Sequence, residues 1–205
     1  THGGQKAPLI VRTRGHRLEG IWHSGSPLGG MISFLRGVFI LTPRNMTKAA
    51  GFYNSLLDID QPGVVIEPLN GYRTKEQLPS NYGQFKTPIG EIEILKEGTD
   101  ITLVSYGSTF NIVINVAKEI EKYGISCEVI DVQSLIPFDI KKEISKSVIK
   151  TNRLLIIDED LPGGCSSYIL QELLEKQDIY EHLDSKPSLL TAKDHRPPYG
   201  SDGDY

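Results

Sequence analysis

A histidine set among glycines is the side chain of this sequence best suited to moving a proton. His23 sits in Gly20-Ile21-Trp22-His23-Ser24-Gly25-Ser26-Pro27. Glycines let backbone and ligand approach closely, and an imidazole titrating near neutral pH can give or take a proton at a reacting centre. On residue type and setting alone, His23 reads as an exposed loop histidine. A thiol is the second candidate. Cys165 follows Gly163-Gly164 at the start of an expected helix, whose dipole would lower the thiol pKa and favour the nucleophilic thiolate. A cysteine hydrolase of the glutamine-amidotransferase kind also needs an imidazole partner, and His182 and His195 stand in no recognisable context for one. A small cysteine packed beneath a helix start is the other use of such a position. Asp158-Glu159-Asp160 closes an apolar run, at the strand end where ligands bind in open α/β sheets. Three adjacent carboxylates there could hold a metal or relay protons, or form a solvated strand end. Gly107-Ser108-Thr109 joins a strand to a helix, where backbone N–H groups can hold an anion. It lacks the later glycines of a dinucleotide fingerprint and reads as a capped turn without ligand.

The elements that must position these residues alternate strand and helix. Residues 7–14 form a strand bounded by glycines, and residues 15–30 carry five glycines without helical or alternating period, so a loop is expected there. Residues 37–43 give a second strand. Asn45 or Thr47 caps a helix to Leu57, with Ala50, Phe52, Tyr53, Leu56 and Leu57 recurring at helical spacing, and residues 64–67 a third strand. Continuous apolar strands joined by helices indicate a parallel sheet buried on both faces. Residues 72–88 are polar and dotted with Pro79, Gly83 and Pro88, and are expected to link residues 1–71 to a second domain over 89–205. In that domain residues 101–106, 127–132, 154–157 and 189–192 read as strands. Ser108 or Thr109 caps the first crossover helix, Gly124 ends it, Asp139 caps the next, and residues 166–174 form a third. Short right-handed crossovers make a doubly wound, mostly parallel sheet.

Composition narrows the partners. A net charge of −4, with no lysine or arginine cluster, argues against nucleic acid or an anionic membrane surface. Two cysteines in unlike settings do not form a secreted disulfide framework, so a reducing compartment is expected. No apolar stretch nears the roughly 18 residues of a membrane span, and a cytoplasmic protein, or one of the mitochondrial matrix in a eukaryote, is expected. Both ends read as truncations.

Several stretches together resemble one family. Gly3-Gly4-Gln5, Pro8-Leu9-Ile10-Val11-Arg12, His23-Ser24, Pro43 and Gln61-Pro62-Gly63-Val64-Val65-Ile66-Glu67 are similar to the later half of the pyrimidine-binding domain in β subunits of thiamine-diphosphate-dependent 2-oxo acid dehydrogenases. Pro88-Ile89-Gly90, residues 98–107, residues 124–132 and Lys150-Thr151-Asn152-Arg153-Leu154 resemble the same family's transketolase C-terminal-like domain, and Arg196-Pro197-Pro198-Tyr199 the segment before its last helix. Trp22 to Pro27 and Leu69-Asn70-Gly71-Tyr72-Arg73 look closer to the branched-chain (2-oxoisovalerate) enzymes than to pyruvate dehydrogenases.

The resemblance implies a partial pyrimidine-binding domain followed by a transketolase C-terminal-like domain lacking its last helix. It implies decarboxylation of a 2-oxo acid on thiamine diphosphate and reductive acylation of a lipoyl group, with pyruvate as the alternative substrate. His23 matches the family's active-site histidine. The implied partners are an α subunit or fused α portion and a lipoyl acyltransferase core, in a homodimer or heterotetramer. The family's activating glutamate matches no position of this sequence, and its magnesium and cofactor diphosphate are held by the α partner, so the fragment alone is expected to be inactive. The family's potassium turn has acidic and amide side chains where this sequence has Ile59 and Gln61, between Asp58 and Asp60, so no metal residue carries over. A non-catalytic α/β assembly domain is the competing expectation.

Overall fold

The computed structural model describes residues 7–15 and 26–194. Strand β1 (Ile10–Gly15), helix α1 (Leu28–Phe34), β2 (Phe39–Leu41), α2 (Met46–Leu57) and β3 (Gly63–Pro68) come first, followed by a 3₁₀ turn over Leu69–Arg73. Then come β4 (Glu93–Lys96), β5 (Ile101–Ser105), α3 (Thr109–Glu121), β6 (Cys127–Asp131), β7 (Ser134–Ile136), α4 (Glu143–Thr151), β8 (Leu154–Ile157), α5 (Cys165–Gln171) and β9 (Ser188–Leu190). One sheet has the order β1-β3-β2-β7 and the other β4-β6-β5-β8-β9. Pairing is parallel except for β7 on β2 and β4 on β6.

The expected parallel α/β architecture is therefore present, with local differences. Residues 28–34 are helical rather than loop. Gly29-Gly30 lowers helix propensity, but Leu28 is fully buried and Met31, Ile32 and Leu35 pack on the core, so burial overrides propensity. Strands β4 and β7 were not anticipated. The first is a four-residue edge strand with a charge at each end, and the second has three residues before Pro137. Ser108 makes no side-chain cap on α3. Asp139 does cap, accepting from Glu143 N and Ile144 N at 2.9 Å each, but the helix begins only at Glu143, leaving Ile140 outside it and exposed.

Strand β7 lies beyond the linker in sequence yet completes the first sheet. Leu28, Ile40 and Ile66 share one buried cluster with Val104, Ile130 and Ile156 of the second sheet. The linker itself is fastened along α2. Glu76 accepts from Met46 N, Thr47 N and Thr47 Oγ1, Asn54 donates to Tyr82 O and Phe85 O, and Ser55 donates to Thr87 O. Gly51 makes this approach possible, because a Cβ there would lie 2.2 Å from Thr87 Oγ1.

Candidate functional site

Ligands of open α/β sheets bind at the carboxyl ends of the strands, and both sheets place polar groups there. On the first sheet a Cβ on Gly15 would lie 3.1 Å from Pro27 Cδ and 3.3 Å from Ile66 Cγ2. The chain thus leaves the sheet at Gly15 and returns at Pro27 in one place, beside the end of β3. His23 lies outside the described residues.

Glu67, at that end of β3, is 2% exposed. Its Oε1 accepts from Tyr53 Oη at 2.6 Å, and its Oε2 accepts from Tyr72 Oη at 2.5 Å and from Arg12 Nη2 and Nε at 2.5 and 3.2 Å. Burial alone would raise its pKa, but these hydrogen bonds outweigh it and hold the carboxyl below its ordinary value. With both oxygens engaged, Glu67 anchors β1, α2 and the 69–73 turn rather than serving as a base.

A second buried carboxylate, Asp131, ends β6 and faces Arg44 at 2.8 Å, and the same guanidinium nitrogen meets Glu93 at 2.7 Å. Complete burial pushes Asp131 up to about 6 despite the cation. Burial of Glu93 is outweighed by Arg44 and Lys48, which hold its carboxyl below the ordinary value. These shifts have opposite consequences for stability. Between 3.8 and about 6 the folded chain binds more protons at Asp131 than the unfolded chain does, so its contribution to stability grows as pH falls through that window. Glu67 and Glu93, both lowered, contribute above their ordinary value of 4.5 and lose that contribution as pH falls below it. The melting temperature should therefore peak near pH 5, and in Asp131→Asn the decline on the alkaline side should flatten. Thermal scans from pH 4 to 8 on both proteins check this, and an unaltered alkaline limb in the variant would contradict it.

In the second sheet β5 is flanked by β6 and β8, so successive crossovers diverge between β5 and β8. Gly107-Ser108-Thr109 and Asp158-Glu159-Asp160 meet at this switch point, with Thr109 Oγ1 donating to Glu159 Oε2 at 3.3 Å. Asp158 is 3% exposed and accepts from Asp160 N at 3.0 Å and Ser166 N at 3.1 Å, shaping the turn into α5. It is not the solvated strand end that the sequence suggested. Cys165 is fully buried, and burial raises its thiol pKa well above the ordinary value, so the helix start does not produce a thiolate. His182 lies in a 3₁₀ turn with its carbonyl accepting from Asn152 Nδ2 at 2.8 Å, and His195 is outside the described residues. The cysteine-hydrolase arrangement is not assembled among the described residues.

The Glu67 and Asp131 clusters were missed from sequence, although one signal was available: each carboxylate follows an apolar stretch of a parallel strand, Val64-Val65-Ile66 before Glu67 and Val129-Ile130 before Asp131.

The profile described as "Transketolase, C-terminal domain" matches residues 90–204. The chain belongs to the transketolase C-terminal domain family. Beyond that match, this transketolase C-terminal domain protein is 29% identical over 197 residues to the pyruvate dehydrogenase E1 component subunit beta of Mycoplasma genitalium, covering 95% of this chain and 59% of the relative. It is 36% identical over 159 residues to the mitochondrial 2-oxoisovalerate dehydrogenase subunit beta 2 of Arabidopsis thaliana, covering 77% of this chain and 43% of the relative. The chain thus spans roughly half the length of these relatives. A solved structure described as "Split gene transketolase, inactive beta4 tetramer" matches with a TM-score of 0.69 at 19% identity, over 94% of this chain and 59% of that one. That likeness gives the fold, and the β-subunit relatives bear out the family resemblance read from the sequence.

Proposed function

We propose that this chain is the later part of the β side of a thiamine-diphosphate-dependent 2-oxo acid dehydrogenase. That enzyme decarboxylates a branched-chain 2-oxo acid and reductively acylates a lipoyl group on an acyltransferase core. The observation that carries this reading is the colinear similarity over 95% of the chain to a β subunit named for pyruvate. The higher identity, 36%, to a β subunit named for 2-oxoisovalerate supports the branched-chain substrate, with pyruvate as the alternative. His23 is the proton-transfer residue of this proposal.

The described residues do not fit the cofactor's diphosphate or its magnesium. No group of three or more His, Cys, Asp or Glu side chains among them could hold a metal ion. The N-terminus of α3, which could otherwise favour a phosphate, lies beside the Glu159 carboxylate. The proposal therefore assigns both to an α partner, in an α/β heterotetramer or a dimer of fused chains. The buried Asp158 and Cys165 favour an assembly role for the second sheet rather than a catalytic one.

Calorimetric titration of the 205-residue chain with thiamine diphosphate and magnesium should show no saturable binding at micromolar cofactor, and saturation there would sink the assignment to the partner. The full-length protein with its α partner should decarboxylate 3-methyl-2-oxobutanoate with higher kcat/KM than pyruvate. The reverse order transfers the substrate to pyruvate, and turnover of neither acid removes the proposal.

A further inference from the structure

The two sheets share an apolar core, and burial of apolar surface is non-directional. It does not fix how one sheet sits on the other. Among the described residues no strand of one sheet pairs with a strand of the other. The chain passes between them where β6 runs into β7, which pairs with β2 of the first sheet through Ile40 with Ile136 and Leu41 with Ser134, with a register shift between them. Orientation needs a directional contact, and one lies in the seam.

Arg44, three residues beyond β2, is the convergence point. Its Nη1 donates to Glu93 Oε2 on β4 at 2.7 Å and to Asp131 Oδ2 on β6 at 2.8 Å. From α2, Lys48 reaches the same Glu93 oxygen at 2.6 Å. From α3, the Phe110 ring lies 5.7 Å from the guanidinium carbon, and Asn111 Nδ2 donates to the Arg44 carbonyl at 3.5 Å. The segment after β2 and helix α2 on the first-sheet side, and β4, β6 and α3 on the second-sheet side, therefore meet at one charged cluster. The other oxygen of Asp131 accepts from Gln133 N at 3.3 Å, and Gln133 holds a left-handed φ of 41° that turns β6 into β7. The Gln133 carbonyl in turn accepts from Thr42 N at 2.8 Å, on the first sheet.

Removing two charges from water costs about as much as their attraction returns, so a buried ion pair rarely stabilises more than apolar residues of the same volume. What such a pair can supply is geometry. We propose that the Arg44–Asp131–Glu93 cluster is a latch that fixes how the two sheets dock, setting their orientation rather than their stability.

Three variants of the 205-residue chain test this through melting temperature and hydrogen exchange of two amides: Thr42, which bonds to Gln133 in the link from β6 of the second sheet to β7 of the first, and Val104, inside β5 and paired only within the second sheet. Arg44→Met strands Asp131 without its cation and should lower the melting temperature by roughly 10 °C. Arg44→Met combined with Asp131→Leu should recover to within about 3 °C of wild type. Protection at Thr42 should nevertheless stay about tenfold or more below wild type, while Val104 stays protected. Asp131→Asn keeps the side-chain shape and covers the case in which the double variant does not fold. It too should lose Thr42 protection selectively, with an unchanged or higher melting temperature at pH 7. Wild-type Thr42 protection in the double variant, or in Asp131→Asn, overturns the proposal, because packing alone would then orient the sheets. So does an Arg44→Met protein unchanged in both measurements.

Discussion

Replacing His23 by alanine in the full-length protein with its α partner is expected to lower kcat by roughly 10²–10⁴-fold, the usual contribution of a positioned acid or base. The same loss should appear in kcat/KM, because a proton transfer made only in the transition state is missing from both. Folding should hardly change. The sequence around His23 is glycine-rich, and substitutions outside a packed core usually stay within about 0.5 kcal/mol. Melting temperature and steady-state rates measured on the same preparations separate the two effects. Wild-type turnover in the variant would return His23 to an ordinary loop histidine.

Gly98→Ala is expected to produce a large loss of stability. A Cβ at this position would lie 2.1 Å from Cys127 C, 2.3 Å from Glu128 N and 2.5 Å from Cys127 O, all of them backbone atoms of β6. Ordinary contact begins near 3.4 Å, so the strand or the turn must move by about an ångström. The turn is held in place from several directions. Gly98 N donates to Glu128 Oε2 at 3.3 Å, Lys150 pairs with both Glu128 and Glu97, and Thr99 N and Asp100 N both donate to Ser126 O. Overpacking of this kind typically costs about 1–3 kcal/mol and more against rigid backbone, which for a chain of this size lowers the melting temperature by roughly 10 °C. Gly83→Ala is the internal control, since a Cβ there meets nothing within 4 Å. A Gly98→Ala melting temperature within about 2 °C of wild type would refute the steric account.

What the sequence displayed was what local patterning controls. Helix α2 was legible because Asn45 caps it, accepting from Lys48 N at 2.9 Å, and its apolar residues recur at helical spacing. The strands β3, β5, β6 and β8 were legible as apolar runs because parallel strands are buried on both faces. Strand β7 was not, because its three residues extend only by pairing with a strand more than ninety positions earlier. The candidate sites divide the same way. Gly107-Ser108-Thr109 and Asp158-Glu159-Asp160 were recognised as strand-end motifs, and the fold brings them together. The fates of Glu67 and Asp131 depend on cations 55 and 87 residues away, which no local window contains.

The position of β7 also sets an order of events during synthesis. Strands β1, β2 and β3 are made early, but the strand that covers the outer side of β2 follows only after roughly ninety further residues, which takes about 5 to 20 s at ordinary elongation rates. Throughout that interval no other strand among the described residues pairs with that side of β2. An unpaired sheet edge is a template for other strands, so the nascent first sheet has a defined window in which a chaperone or a neighbouring nascent chain can reach it.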